Sequence, residues 1–287
     1  MSCVPEITQM EIIEQTLIPK NPAKKSEDGI VVTNDFIAVI DGSTSKSQYR
    51  HSLFSSNGRY AMKLANSYIR HMPKNTTCEA FLRGVTAYVR KHYKKSMLQR
   101  LADHPEDRLT CSVVVFSRLC REIWMVGDCQ CLVSPSHPLT SSPSQFIDNP
   151  KPYEAELAAM RANEAERLLS EGHTADELCR NDIARPLIIP RMIETMRQQN
   201  VTYSVVDGFP IPRQHARTLT LDFQPYEIVL ASDGYPFLYP TLEESEAALQ
   251  HQRQCDPLNI GPHFQATKAF HPDFNSFDDR TYIRFRV

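Results

Sequence analysis

The 287-residue chain has no long apolar run, no basic leader, no closely spaced cysteine pair of the Cys-x-x-Cys kind and no internal repeat. The first lack excludes a helical membrane protein, since nothing approaches the length of a span. The N-terminus, MSCVPEITQMEI, has no basic region followed by an apolar stretch, so no signal peptide is expected. A cytoplasmic location follows as the expectation. Charge of one sign is also lacking: the net is −2, which argues against a strongly basic nucleic-acid binder. The lysine pairs Lys24-Lys25 and Lys94-Lys95 are too short to make a polyanion tract and read as solvated surface. Eight cysteines are scattered along the chain. Cys129 and Cys131, two apart in an expected strand, share a face. They are a conceivable metal pair, but reduced cysteines acting as small hydrophobes are the expected reading.

What is present suits a globular protein. Hydrophobic residues make up 41% of the chain, above the range of disordered sequences. The length allows one large domain or two small ones. Strands are expected at Glu11–Ile18, Gly29–Thr33 and Phe36–Ile40, the last two joined by a turn at Asn34-Asp35. Helical spacing follows at Gly58–His71 and again from Thr77 to Leu101. Cys111–Phe116, Ile123–Val126 and Cys129–Val133 read as a meander with a tight turn at Gly127-Asp128. A Ser- and Pro-rich loop is expected over 134–151, then charged helices over 152–200, broken near Gly172, Pro186 and Pro190. Strands return at Tyr203–Val206, Ala216–Leu221 and Glu227–Ala231. A helix over Leu242–Gln254 has Thr241 as N-cap and Glu244 as capping-box partner, and the last strand is Thr281–Val287. Runs of strands and paired helices, rather than strict alternation, point to an α+β fold with antiparallel sheets covered by helices. One domain over 1–287 is expected, with a helical insertion at about 134–201.

Carboxylates recur where apolar strands end. "FIAVIDG" ends in Asp41-Gly42, "EIVLASDG" in Asp233-Gly234 and "WMVGD" in Asp128, while Asp278-Asp279 precedes the last strand and Glu27-Asp28 precedes the second. A lone Asp-Gly is an ordinary turn dipeptide. A buried carboxylate without compensation costs several kcal/mol, roughly 2–7 even for a neutral polar group. Several of them at rigid strand ends suit a hard divalent cation, which takes oxygen ligands. Spacing alone leaves turn and metal readings open.

In order, "KKSEDGIVV", "VIDGST", "MVGDCQ", "VLASDGYP" and "FDDRT" resemble the motifs of the type-2C metal-dependent serine/threonine protein phosphatases, the PPM family, in a divergent, bacterial-like form. The resemblance spans residues 24 to 282 and is poor over 134–201 and 255–276. It implies a four-layer αββα sandwich of two antiparallel β-sheets flanked by helices, and a two-metal Mn²⁺ or Mg²⁺ site between the sheets. By resemblance Asp41 bridges both ions, the Gly42 carbonyl binds one, and Asp233 and Asp278 bind the other. Glu27 or Asp28 reaches a metal-bound water, and Asp128 supports the site or a third ion. Asp41, Asp233 and Asp278 are then the catalytic carboxylates, and a phosphoprotein is the substrate. Two departures stand out. Ser43 occupies the place of a frequent histidine, and Ala23 the place of the phosphate-binding arginine. Lys24, Lys25 or Lys20 is the expected substitute for that arginine, although lysine lacks its bidentate fork. Phe237 also replaces a candidate third-metal aspartate. The run Ser43-Thr44-Ser45-Lys46 reads as a loop and cap leading to the helix, or as phosphate contacts. His263 or His271 is a conceivable general acid, and Trp124 is expected in the core.

A metal-dependent phosphatase is thus the leading expectation. A pseudophosphatase that only binds partners, and a hydrolase of a small phosphorylated molecule, remain as alternatives. No nucleic-acid or membrane partner is expected, and the sequence does not indicate an oligomeric state.

Overall fold

A computed structural model describes residues 9–44, 46–47, 49–136 and 144–287. Among the described residues, ten strands form two antiparallel five-stranded sheets. The first has the order β1 (Glu11–Ile18), β10 (Arg280–Arg286), β9 (Tyr226–Ala231), β6 (Gln130–Pro135) and β7 (Gln145–Ile147). The second has the order β2 (Gly29–Val32), β3 (Phe36–Gly42), β4 (Cys111–Ser117), β5 (Glu122–Val126) and β8 (Arg217–Thr220).

The central strands are buried on both faces, and their two side-chain sets sort cleanly. On β3, Phe36, Ala38 and Ile40 pack beneath α1 (Asn57–Arg70) and α2 (Cys78–Arg90). Ile37 and Val39 point the other way, into a core shared with Val114, Phe116, Cys129, Cys131, Leu230 and Phe285 from both sheets. This period of two is what a pleated strand imposes. The outer face of the first sheet is covered through Tyr235, Leu238 and Leu242, the last at the start of α7 (Leu242–Cys255). The expected αββα layering is therefore observed. Trp124 is fully buried and stacks on Phe81 of α2.

Several expectations fail locally. The segment 129–133 does not continue a meander: β6 crosses to the first sheet and pairs with β9 and β7. Apolar runs report burial, not the identity of the pairing partner. The crossing begins at Gly127, φ +82°, where a Cβ would stand 2.1 Å from the Ser112 hydroxyl. The expected long helix over 77–101 stops at Arg90, and only a short α3 (Leu98–Asp103) follows. The break turns Tyr93 inward, where its hydroxyl donates to the Asp207 carbonyl. Residues 203–206 form two isolated bridges, Val206 to Cys111 and Tyr203 to Gln199, rather than a strand. The 134–151 segment, expected as loop, contributes β7.

Three helices lie between β7 and β8: α4 (Glu154–Ser170), α5 (Ala175–Arg180) and α6 (Ala184–Met196). The expected breaks fall at 171–174, by Gly172, and at 181–183, just before Pro186, but none falls at Pro190. Pro186 sits in the first turn of α6, where the amide has no helical partner anyway. Pro190 lies inside the helix and is tolerated. Thr241 caps α7 as expected, but the Glu244 carboxylate accepts its hydroxyl instead of closing a capping box on its amide. The Asp207-Gly208 turn carries a buried ion pair, with Arg108 Nη1 2.9 Å from Asp207 Oδ2. Of the expected cysteine core, Cys78, Cys111, Cys129, Cys131 and Cys179 are buried and reduced, while Cys255 is exposed. Cys3 and Ser45 lie outside the described residues.

Removing one member of a buried ion pair strands the other. Asp207→Ala should therefore cost about 3–5 kcal/mol of stability, measured by urea unfolding. A loss below about 1 kcal/mol would show that Arg108 finds water instead.

Candidate metal centre

Strand alternation decides where Asp41 points. Ile37 and Val39 face the other sheet, so Asp41, two residues further along β3, projects into the same gap where the apolar residues end. Its neighbour across the ladder is Ser112, whose hydroxyl donates to Asp128 at 2.5 Å. Asp233 follows β9, whose Ile228 and Leu230 share that gap. Oxygens of Asp41, Asp128 and Asp233 come within 4.8 Å of one another. Asp128 is buried, while Asp41 and Asp233 are partly open to a cavity.

Gly42 follows Asp41 for a packing reason rather than for a turn. A Cβ there would stand 2.5 Å from the backbone carbonyls of both Glu27 and Gly58. Three pieces of main chain thus meet behind Asp41: the end of β3, the approach to β2 and the first turn of α1. Asp279 fastens the same corner. Its two carboxylate oxygens accept the amides of Lys20 and Glu27, at 2.8 and 2.7 Å. That is a structural task for the second member of the Asp278-Asp279 pair.

The other candidates divide. Asp28 is buried; Thr281 donates to its Oδ2 at 2.9 Å, and its Oδ1 has no partner among the described residues. The Glu27 carboxylate accepts the Thr44 hydroxyl at 2.6 Å. Ser43, Gly42 and Asp278 line the cavity. Asp278, however, is not in the converging triad; Lys20 (3.0 Å) and Lys268 both pair with its carboxylate. Lys24 and Lys25 are exposed and do not line the cavity. Its cations are Lys46, Lys151, Arg185 and Lys268. Three of these four come from the segments where the resemblance is poor. Charged residues in helices and irregular stretches carry no signal that separates them from solvated surface. His263 and His271 line no part of the cavity; His271 stacks on Phe274.

The electrostatics follow from crowding. Burial, reinforced by the charge of Asp279, pushes Asp28 up to about 7. Burial, with Asp28 and Asp128 nearby, raises Asp41 well above the carboxylate range, and Asp233 rises for the same kind of reason. Asp128 goes the other way: burial opposes its ionisation, but Lys151 Nζ, 2.5 Å from its Oδ2, outweighs it. An oxygen-only donor set, two carboxylates held against their tendency to ionise and one orphaned buried oxygen together fit a hard divalent cation.

Comparison with solved structures gives the same architecture. PppA, a key regulatory component of T6SS in Pseudomonas aeruginosa, aligns over 97% of each chain at 12% identity, with a TM-score of 0.50. The fold is that of the PPM phosphatases. Weaker matches include the catalytic domain of the serine/threonine protein phosphatase PstP in complex with two manganese ions, at 10% identity, covering 96% of this chain and 98% of that one, TM-score 0.46. RsbX in complex with magnesium matches with the same identity, coverage and score. At these identities what is shared is the fold. No family profile and no curated protein matches the chain. Among the described residues, no helix is long and apolar enough to cross a membrane.

Folded Asp28 holds its proton up to about pH 7, whereas an unfolded aspartate loses it near pH ~4. The folded state binds more protons in that window, so stability of the ion-free protein should fall as pH rises through it. Urea unfolding of chelator-treated protein at pH 5 and pH 8 checks this. Asp28→Asn should flatten the difference, and equal stability in the wild type at both values would contradict the assignment.

Proposed function

We propose that the protein is a metal-dependent phosphatase that hydrolyses phosphomonoesters with Mn²⁺ or Mg²⁺ held by Asp41, Asp128 and Asp233. The convergence of these three carboxylates at the mouth of the inter-sheet gap carries the reading. By the resemblance Asp28 and the Gly42 carbonyl join the set, and Asp278 joins it where its lysines release it. A bound divalent ion supplies Lewis-acid activation of water and neutralises phosphate charge. The chain's own residues do the rest. The carboxylates fix the ion from rigid strand ends, and Ser112 and Thr281 orient Asp128 and Asp28 by hydrogen bonds. Lys46 and Arg185 present positive charge to the phosphate, in the role first expected of Lys24 and Lys25. Ser43, at the cavity wall, offers a hydroxyl in place of the family's histidine.

The resemblance carries this reading on to phosphoserine and phosphothreonine in cytoplasmic signalling proteins, acted on by a single phosphatase domain. A second reading, a pseudophosphatase, is favoured by one observation. Lys151 already pairs with Asp128, and Lys20 and Lys268 with Asp278. The resemblance implies two ions, yet the charges present leave room for fewer.

Two measurements test these readings. With Mn²⁺ the protein should hydrolyse an aryl phosphate, and Asp233→Asn should reduce kcat/KM at least about a hundredfold; calorimetry without phosphate should give one ion per chain. Ion binding without turnover would turn the assignment to the pseudophosphatase, and no ion binding would remove both. Two ions of equal affinity would show that the lysines withdraw.

A further inference from the structure

The lining of the cavity beside the carboxylates holds two unlike sets of groups. One is cationic: Lys46, from the loop after β3, and Arg185, at the start of α6. The other is apolar: Leu157 of α4, Met192 and Met196 of α6, and Tyr203 and Val205 from the segment after it, with the Glu154 carboxylate of α4 also in the lining. The cavity volume is about 120 Å³, and the space beyond it opens to solvent. Apolar groups beside a few convergent polar ones are the usual lining of a small-molecule site, and a volume of this size takes only a compact ligand.

Among the described residues the two basic groups make no salt bridge. Lys151 pairs with Asp128, and Lys268 with Asp278. Lys46 donates instead to the Thr44 carbonyl at 2.7 Å, and Arg185 to the Thr267 carbonyl and hydroxyl. Neither pairs with a carboxylate among the described residues. Burial and the positive charge of Arg185 push Lys46 down to about 7, and burial pushes Arg185 down to about 10. Two half-buried cations left without an anion, facing the gap in which the carboxylates sit, await a negatively charged ligand.

Leu157 is 6% exposed and Val205 1% exposed, and both line the cavity together with residues of α4 and α6. An extended peptide needs a groove open at two ends, with backbone partners along it. A compact ligand needs only a mouth.

We propose that the substrate is a small phosphomonoester whose phosphate lies against Lys46 and Arg185 and whose apolar or aromatic group lies against the Leu157–Met192–Met196–Tyr203 set. This rests on the phosphatase reading and narrows it away from phosphoproteins. The reaction is hydrolysis: water adds to phosphorus, the ester P–O bond breaks, and the leaving alcohol takes a proton from water.

The test uses the full chain loaded with Mn²⁺. Phenylphosphonate, which cannot be hydrolysed, should bind by calorimetry at least about tenfold more tightly than inorganic phosphate. Arg185→Met and Lys46→Met should each weaken it about tenfold while leaving Mn²⁺ affinity in place. Lys46→Met stands on a loop and serves where Arg185→Met fails to fold. Phenyl phosphate should exceed a phosphothreonine peptide in kcat/KM by about tenfold or more. A peptide turned over equally well would overturn the pocket assignment and leave the phosphatase intact. Phosphonate binding that depends on Arg185, with no turnover of either substrate, would overturn the phosphatase and leave the pocket. Phosphonate binding that is indifferent to both substitutions, or no tighter than that of phosphate, would overturn the pocket.

Discussion

Repulsion among crowded carboxylates is the constraint around which this structure is arranged. Asp28, Asp41, Asp128 and Asp233 crowd the end of the gap between the sheets, and three of them are raised above the ordinary carboxylate range by burial and by one another. No cluster of this kind persists unless something larger holds it. Here that is the inter-sheet core, where Ile37, Val39, Val114, Phe116, Leu230 and Phe285 are fully buried. Burying such side chains contributes about 1.5–3 kcal/mol each, which offsets several unfavourable charges. The strands stay paired right up to the acids, so the carboxylates cannot separate without unzipping the ladder.

Two kinds of scaffold meet at the cavity. The acids sit on or beside strand ends whose backbones are fixed by register: Asp41 opposite Ser112, and Asp28 linked through Thr281 to β10. The bases come from loops and from the helices between β7 and β8. Lysine and arginine side chains are long enough to reach in from such positions while keeping their backbones outside. The carboxylates can therefore be placed with strand precision, and the cations can be redistributed without disturbing the sheets.

That division explains what the sequence made legible. Asp41 and Asp233 were readable because an apolar run that ends in Asp-Gly is a local event with a local cause, and because such events recurred in order. Alternation on β3 even fixes which way Asp41 faces. The partner of β6 was not readable: Cys129–Val133 is apolar on both faces and fits either sheet equally well. Nor were Lys151, Arg185 and Lys268, which look like any solvated residue until the chain folds back over the cleft. Lys24-Lys25 drew attention through proximity in sequence to the acidic pair, yet both remain outside. The structural role of Asp279, accepting two backbone amides, depends on a loop more than two hundred residues away, and nothing local announces it.

Charge balance then links the acids to the bases. Asp28, Asp41, Asp128, Asp233, Asp278 and Glu154 surround the site, and Lys20, Lys151 and Lys268 pair with two of them, Asp128 and Asp278. The others have no lysine paired with them among the described residues, and a divalent cation supplies positive charge there. Each further ion competes with the lysines unless one withdraws or negative charge arrives with it. A phosphate dianion brings that charge. Lys46 and Arg185, without carboxylate partners among the described residues, line the same cavity. The same arrangement therefore gives the phosphate and a second cation a common reason to enter together: each relieves the excess charge that the other introduces.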